Sequence, residues 1–234
     1  MNGSKLGVIG AMELEVEALR AALVGARSTQ RASMTFYEGA LRGLPCVVVR
    51  CGIGKVNAAL CVQLLRDLFG VTHVLNTGVA GSLSAQLDIG DIVVSSDAAY
   101  HDVDVTALGY PAGQMPGMPA AFPADADLIA RAQAACAAVA PDVHAQVGRV
   151  VSGDQFVAQG ARKDVLAREF GGLCTEMEGA AVAHAASVNG LPFVILRAIS
   201  DKADDSAHMD YPTFERAAAA RCAAIVEEMA ARMA

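Results

Sequence analysis

No apolar run in this 234-residue chain reaches the length of about eighteen residues that a membrane span needs. Spanning the bilayer is therefore not expected. The opening stretch, "MNGSKLGVIGAMELEVEAL", offers only a few apolar residues before acids begin, unlike a secretory leader, and predicts a cytoplasmic protein. A basic surface is lacking too: the formal net charge is −7, which argues against a nucleic-acid partner because phosphate neutralisation needs clustered cations. The six cysteines (Cys46, Cys51, Cys61, Cys136, Cys174 and Cys222) form no C-x-x-C pair and read as small core residues in a reducing compartment. The five histidines make no H-E-x-x-H, so no metal site is expected. Repeats, low-complexity linkers and composition shifts are missing as well, which predicts a single domain over residues 1–234.

What is present is core-forming material. Hydrophobic residues make up 54% of the chain, many of them alanine, which suits closely packed helices. Strand-like runs alternate with helical ones. "KLGVI" leads into "MELEVEALRAAL", where Met12, Val16, Leu19 and Leu23 share a helical face. "MTFYEGAL", "PCVVVRC", "THVLNTG", "DIVVSSDAAY", "AQVGRVVS" and "PFVILRAIS" read as strands. Helices are expected over "GKVNAALCVQLLRDLF", where Val56, Leu60, Leu64 and Leu68 recur, near 124–139, 160–169 and 178–189, and at the C-terminus. The last carries a stripe of Phe214, Ala218, Cys222, Ile225, Met229 and Met233. Interleaved elements with fully apolar strands predict an α/β three-layer sandwich, a mixed central β-sheet flanked by helices. The segment 101–123, rich in Gly and Pro, is expected to be an irregular loop with a functional or partner-contacting role.

Four glycine-bearing stretches read as turns at strand ends: "GVIGAME", "RCGIGKVN", "NTGVAGSL" and "VSGDQF". Ligands of α/β sheets bind beyond the carboxyl ends of strands, where such turns let backbone come close. Neither the dinucleotide nor the Walker A spacing is met. Acids cluster near the same places. Of Glu13, Glu15 and Glu17, the first and last share one helical face while Glu15 points elsewhere, so the three cannot all face solvent alike and one of them is expected to turn inward. Glu176 and Glu178 precede the small-residue run "GAAVAHAA", and "ILRAISDKADD" delivers Arg197, Ser200 and Asp201 at a strand end. For each of these, a dipole-matched or ion-paired surface role stands beside a ligand-binding one.

Taken together, "GAMELEVEAL", "CGIGKVNAA", "NTGVAGSL", "GDIVVSSDAAYHDVDVTALGY", "VSGDQF", "TEMEGAAVAH" and "RAISDKAD" resemble, in collinear order, a bacterial 5′-methylthioadenosine/S-adenosylhomocysteine nucleosidase of the nucleoside phosphorylase superfamily. The resemblance implies hydrolysis of an adenine nucleoside with no metal or organic cofactor. It implies Asp201 as the general acid on adenine ring nitrogen seven and Glu15 as the base that readies water. It implies Glu178 on the ribose hydroxyls with Met177 against the sugar, and Phe156 and the Val157 backbone on adenine. Arg197 would lie near the water and the glutamates, and Ser200 would orient Asp201. Val79 stands where some members carry Ser. Ile53, Tyr211, Val105, Leu108 and Pro116 would line the pocket for the 5′ substituent, and Tyr211 replaces a common Phe. A homodimer is implied, with the 101–123 loop reaching the neighbouring site.

The chemistry is physically coherent. A neutral adenine leaves more readily than its anion, so an acid kept protonated by burial or neighbouring charge would supply general acid catalysis on the order of 10²–10⁴. A carboxylate near the first strand would repel phosphate, which favours water as nucleophile. A purine nucleoside phosphorylase, or a non-catalytic nucleoside-binding protein of the same fold, remains the alternative. The cluster Asp201, Asp204 and Asp205 lacks the pattern of a calcium loop, so Asp204 and Asp205 are expected to be solvated. Preference among methylthioadenosine, adenosylhomocysteine, 5′-deoxyadenosine and futalosine-type nucleosides stays open.

Overall fold

The computed structural model describes residues 3–204 and 207–234, so Asp205 lies outside the described residues. In chain order the elements are β1 (Leu6–Gly10), α1 (Glu13–Ala22), β2 (Val24–Arg31), β3 (Met34–Leu41), β4 (Leu44–Arg50), α2 (Lys55–Phe69), β5 (His73–Ser82) and β6 (Ile92–Tyr100). There follow β7 (Phe122–Pro123), α3 (Ala126–Val139), β8 (Ala145–Ser152), α4 (Gly160–Phe170), β9 (Cys174–Glu176), α5 (Gly179–Val188), β10 (Phe193–Asp201) and α6 (Ala207–Met233). All ten strands belong to one mixed sheet. Strands β1, β4, β5 and β10 run parallel, and their apolar sequences are buried on both faces, as parallel strands covered by helices must be.

Side-chain alternation sorts the core into two slabs. Val47 and Val49 of β4 point to the slab shared with α2 and α5, whereas Cys46 and Val48 point to the slab shared with α1, α3 and α6. The expected three layers are there, with one addition. Strand β5 pairs with β10 along most of its length and with β9 at its end. The path β5, β10, β6, β8, β9 therefore closes on itself as a five-stranded barrel, while β1, β4, β3 and β2 extend from it as an open wing.

Three features differ from the sequence reading. Strand β2 has almost no buried side chain, so its residues "VGARSTQR" carry no alternation; antiparallel pairing with β3 at the sheet edge holds it. The stretch "NTGVAGSL" is not a turn, for its first seven residues lie inside β5. The α2 residues Val56, Leu60 and Leu68 are 71%, 49% and 53% exposed, and the helix buries Ala58, Cys61, Val62 and Leu65 instead. Its inward face is made of smaller residues because it packs on the alanine-rich α5. The 101–123 loop is largely irregular, with one short helical turn at Thr106–Leu108 and the two residues of β7.

Helix α5 shows how close that packing is. Ala180, Ala181, Ala183 and Ala186 are all buried against the sheet and α2. Enlarging one of them has no free volume to use. Ala183→Leu is expected to cost about 1–3 kcal/mol of stability through overpacking, read as a lowered denaturation midpoint in urea.

Candidate active site

The site is assembled at the carboxyl ends of β1, β4, β5 and β10. Strand β1 ends at Gly10, the chain turns through Ala11 and Met12, and α1 begins at Glu13. Glu15 is only 2% exposed, so it is the acid of the three that turns inward, while Glu17 faces solvent. Its Oε2 accepts the backbone N–H groups of Ala11 (2.7 Å) and Met12 (2.9 Å), and its Oε1 accepts that of Val79 (3.1 Å). Burial pushes the Glu15 pKa up, against the opposing pull of Arg197 and these three donors.

Arg197, on β10, is 1% exposed and anchors a carboxylate cluster. Its Nη2 donates to Glu176 and Asn76, stands 3.7 Å from Glu178 Oε2, and its Nη1 donates to the Val79 carbonyl at 3.3 Å. Burial works to lower the Arg197 pKa, but Glu176, Glu178 and Glu15 outweigh it and hold the guanidinium charged. Glu178 Oε1 accepts the Gly54 N–H at 2.8 Å, at the head of α2, where Gly54 adopts a φ of +100° that suits glycine. Burial first, then the adjacent Glu176, push the Glu178 pKa from the usual 4.5 to about 7.

Asp201 closes β10 just after a register shift between Ile199 and Asp201. Its Oδ2 accepts the Ser200 hydroxyl at 2.9 Å and its Oδ1 accepts the Ala203 N–H at 2.8 Å. Burial raises its pKa, those two donors lower it, and Asp210 and Asp204 add to the rise. The glycines of β5 explain how so many charged groups fit. A Cβ on Gly78 would stand 2.3 Å from Glu15 Oε1 and 2.5 Å from Arg197 Nη1, and one on Gly81 would stand 2.8 Å from Asp201 Oδ1. Both are required for close approach within a strand, not for turning.

These groups surround one hollow of about 410 Å³. Of the residues singled out from the sequence, Glu15, Ile53, Val79, Phe156, Met177, Glu178, Arg197, Ser200, Asp201 and Tyr211 line it. Val157 does not; its side chain packs with Leu83, Val151, Leu166, Phe170 and Ala203. Val105, Leu108 and Pro116 lie in the 101–123 loop and do not line their own chain's hollow, and Leu108 is 72% exposed. Asp204, expected in solvent, is half-buried and faces Lys163 at 3.8 Å.

Glu176 is the residue the sequence reading left without a role. It accepts Arg197, Ser152 Oγ and the backbone N–H groups of Glu178 and Gly179, and it lines the hollow. No strand period could have found it, because the strand ends at Glu176 and the chain bends through Met177 into Glu178, the cap of α5.

A twisted mixed sheet that closes into a small barrel, with acids gathered at the strand ends, defines a class, and the profile described as the Phosphorylase superfamily matches residues 5–231. Within that superfamily the likeness is narrower. The chain is 42% identical over 230 residues to the 5′-methylthioadenosine/S-adenosylhomocysteine nucleosidase of an Exiguobacterium species, covering 98% of each chain. The crystal structure of the Colwellia psychrerythraea nucleosidase with adenine superposes with a TM-score of 0.96 at 40% identity, covering 99% of this chain and 96% of that one. The Neisseria meningitidis nucleosidase, in complex with methylthio-immucillin-A, does so with 0.94 at 39% identity, covering 97% and 98%. The chain belongs to the 5′-methylthioadenosine/S-adenosylhomocysteine nucleosidase family.

The Glu178 shift has a measurable consequence. A carboxyl whose folded pKa exceeds its unfolded value binds more protons when folded, so its stabilisation is full below about 4.5 and is lost as pH rises through about 7. Comparing unfolding free energies across pH 4.5–7, the wild type minus Glu178→Gln difference is expected to fall with rising pH. A difference that rises would contradict the shift.

Proposed function

We infer that the chain is a hydrolase of N-glycosidic bonds that releases adenine from 5′-methylthioadenosine and S-adenosylhomocysteine. The observation that carries this reading is the excess of acid over base around one hollow. Glu15, Glu176, Glu178 and Asp201 face Arg197, the only cation among the described lining residues. In this reading Asp201, its proton affinity raised by burial, protonates the departing base so that it leaves neutral. Glu15 takes a proton from water below the sugar, and its raised pKa makes it the stronger base once ionised. Its negative charge also favours the cationic sugar of the transition state. Glu178 and Met177 hold the ribose, which fixes the geometry of attack. Phe156, more than half exposed and edge-on to Tyr211 with ring centroids 5.7 Å apart, offers a face for the purine.

Phosphorolysis is disfavoured by the same arrangement. A phosphate dianion beneath the sugar needs unspent positive charge, and Arg197 is already committed to Glu176. A storage protein would have no use for three carboxyls of raised pKa in one cavity. The six free cysteines are all buried, which suits the reducing cytoplasm.

A homodimer completes the reading. The outward face of α2, with Val56, Leu60 and Leu68, lies near exposed Ile53 at the hollow's rim, and an apolar patch of this kind favours a protein contact. A second copy seated there would bring its 101–123 loop, with Val105, Leu108 and Pro116, to the rim.

Two experiments follow. Asp201→Asn is expected to lower adenine release by at least about 10² with an unchanged denaturation midpoint, and wild-type release is expected to need no phosphate and to yield the free thio-sugar. Leu60→Asp is expected to shift the sedimentation coefficient to that of a monomer and to raise KM. A monomeric wild type would remove the dimer.

A further inference from the structure

A second cavity of about 490 Å³ adjoins the hollow and shares Ala11, Met12 and Ile53 with it. Its character changes beyond that shared apolar wall. Glu13, Ser33, Arg50 and Asn57 supply polar groups and charges of both signs. Arg50 is the last residue of β4 and pairs in register with Gly10 of β1, so it stands at the same strand ends as the hollow. Glu13 opens α1, two residues before Glu15.

The two charges are neighbours without being bonded. Arg50 Nε stands 4.0 Å from Glu13 Oε2, beyond hydrogen-bond length, and the side chains are 56% and 45% exposed. Arg20 holds the other Glu13 oxygen at 2.5 Å, while the Arg50 guanidinium donates no hydrogen bond among the described residues. An open guanidinium beside a tethered carboxylate is the complement of an α-amino acid end: a planar fork for its carboxylate and an acceptor for its ammonium.

Direction also fits. Gly54, next to Ile53, binds Glu178, the residue read above as the ribose holder, while Asp201 and Ser200 mark the base end. A substituent on the sugar leaves the hollow past Met12 and Ile53, into the second cavity. We propose that this cavity is the subsite for the zwitterionic end of the S-adenosylhomocysteine tail, with Arg50 on its carboxylate and Glu13 on its ammonium group. The proposal rests on the nucleosidase reading. Methylthioadenosine, whose tail stops at a methyl group, does not reach the cavity. The sequence left substrate preference open; Arg50 and Glu13 set it.

Steady-state kinetics of wild type, Arg50→Met and Glu13→Gln on both substrates test this. Because the charges are partly solvated, kcat/KM for S-adenosylhomocysteine is expected to fall about five- to tenfold in each variant, mainly through KM. Activity on methylthioadenosine should stay within about twofold, which also serves as the folding control. An S-adenosylhomocysteine analogue with its carboxylate converted to an amide should be a poorer wild-type substrate and should be insensitive to Arg50→Met. Equal losses on both substrates, or no loss on either, would overturn the subsite. If the wild type releases adenine from neither substrate, it is the nucleosidase reading that fails.

Discussion

One fully buried guanidinium governs this molecule. Arg197 sits among Glu15, Glu176 and Glu178, and a single positive charge cannot neutralise three carboxylates out of reach of water. Removing a partner from such a buried set leaves charge uncompensated, at a cost of about 3–5 kcal/mol. The fold meets the remainder with backbone donors. Glu15 takes three N–H groups, Glu176 takes those of Glu178 and Gly179, and Glu178 takes that of Gly54. Burial, the largest cause, still raises the proton affinities of Glu15 and Glu178, and at Glu178 the neighbouring Glu176 adds to the rise. Those proton affinities are a property of the surroundings and not of any unusual side chain.

Close approach is the second requirement, and small residues satisfy it. The Gly78 and Gly81 positions of β5 leave room for Glu15, Arg197 and Asp201 on a strand that is hydrogen-bonded to its neighbours. The alanines of α5 let that helix settle against the sheet, so that Glu178 at its head enters the hollow. Asp102 and Asp154 hold Lys55, the first residue of α2, and so fix the Gly54 N–H that Glu178 needs. Packing and chemistry are thus one problem here: the close packing that buries the acids is what raises their proton affinities.

Polarity around the hollow is graded. Four acids and Arg197 line the inner end, Met12, Ile53, Phe156 and Tyr211 form an apolar rim, and Glu13 and Arg50 stand beyond it. The exposed α2 face extends the apolar rim outward, to where a second subunit is proposed to sit.

Some of this was written in the chain order alone. Strand and helix periodicity set the alternating elements and the two core slabs, because burial on one or both faces is a local pattern. Helical phase separated Glu15 from Glu13 and Glu17, but only the packed sheet decided that the Glu15 side turns inward. What no local pattern carries is which distant residues meet. The barrel closure, the placement of "NTGVAGSL" inside a strand, the outward turn of the α2 stripe and the pairing of Glu176 with Arg197 all depend on registers between segments far apart in sequence. Side-chain period fixes a face, but only the paired sheet decides what that face confronts.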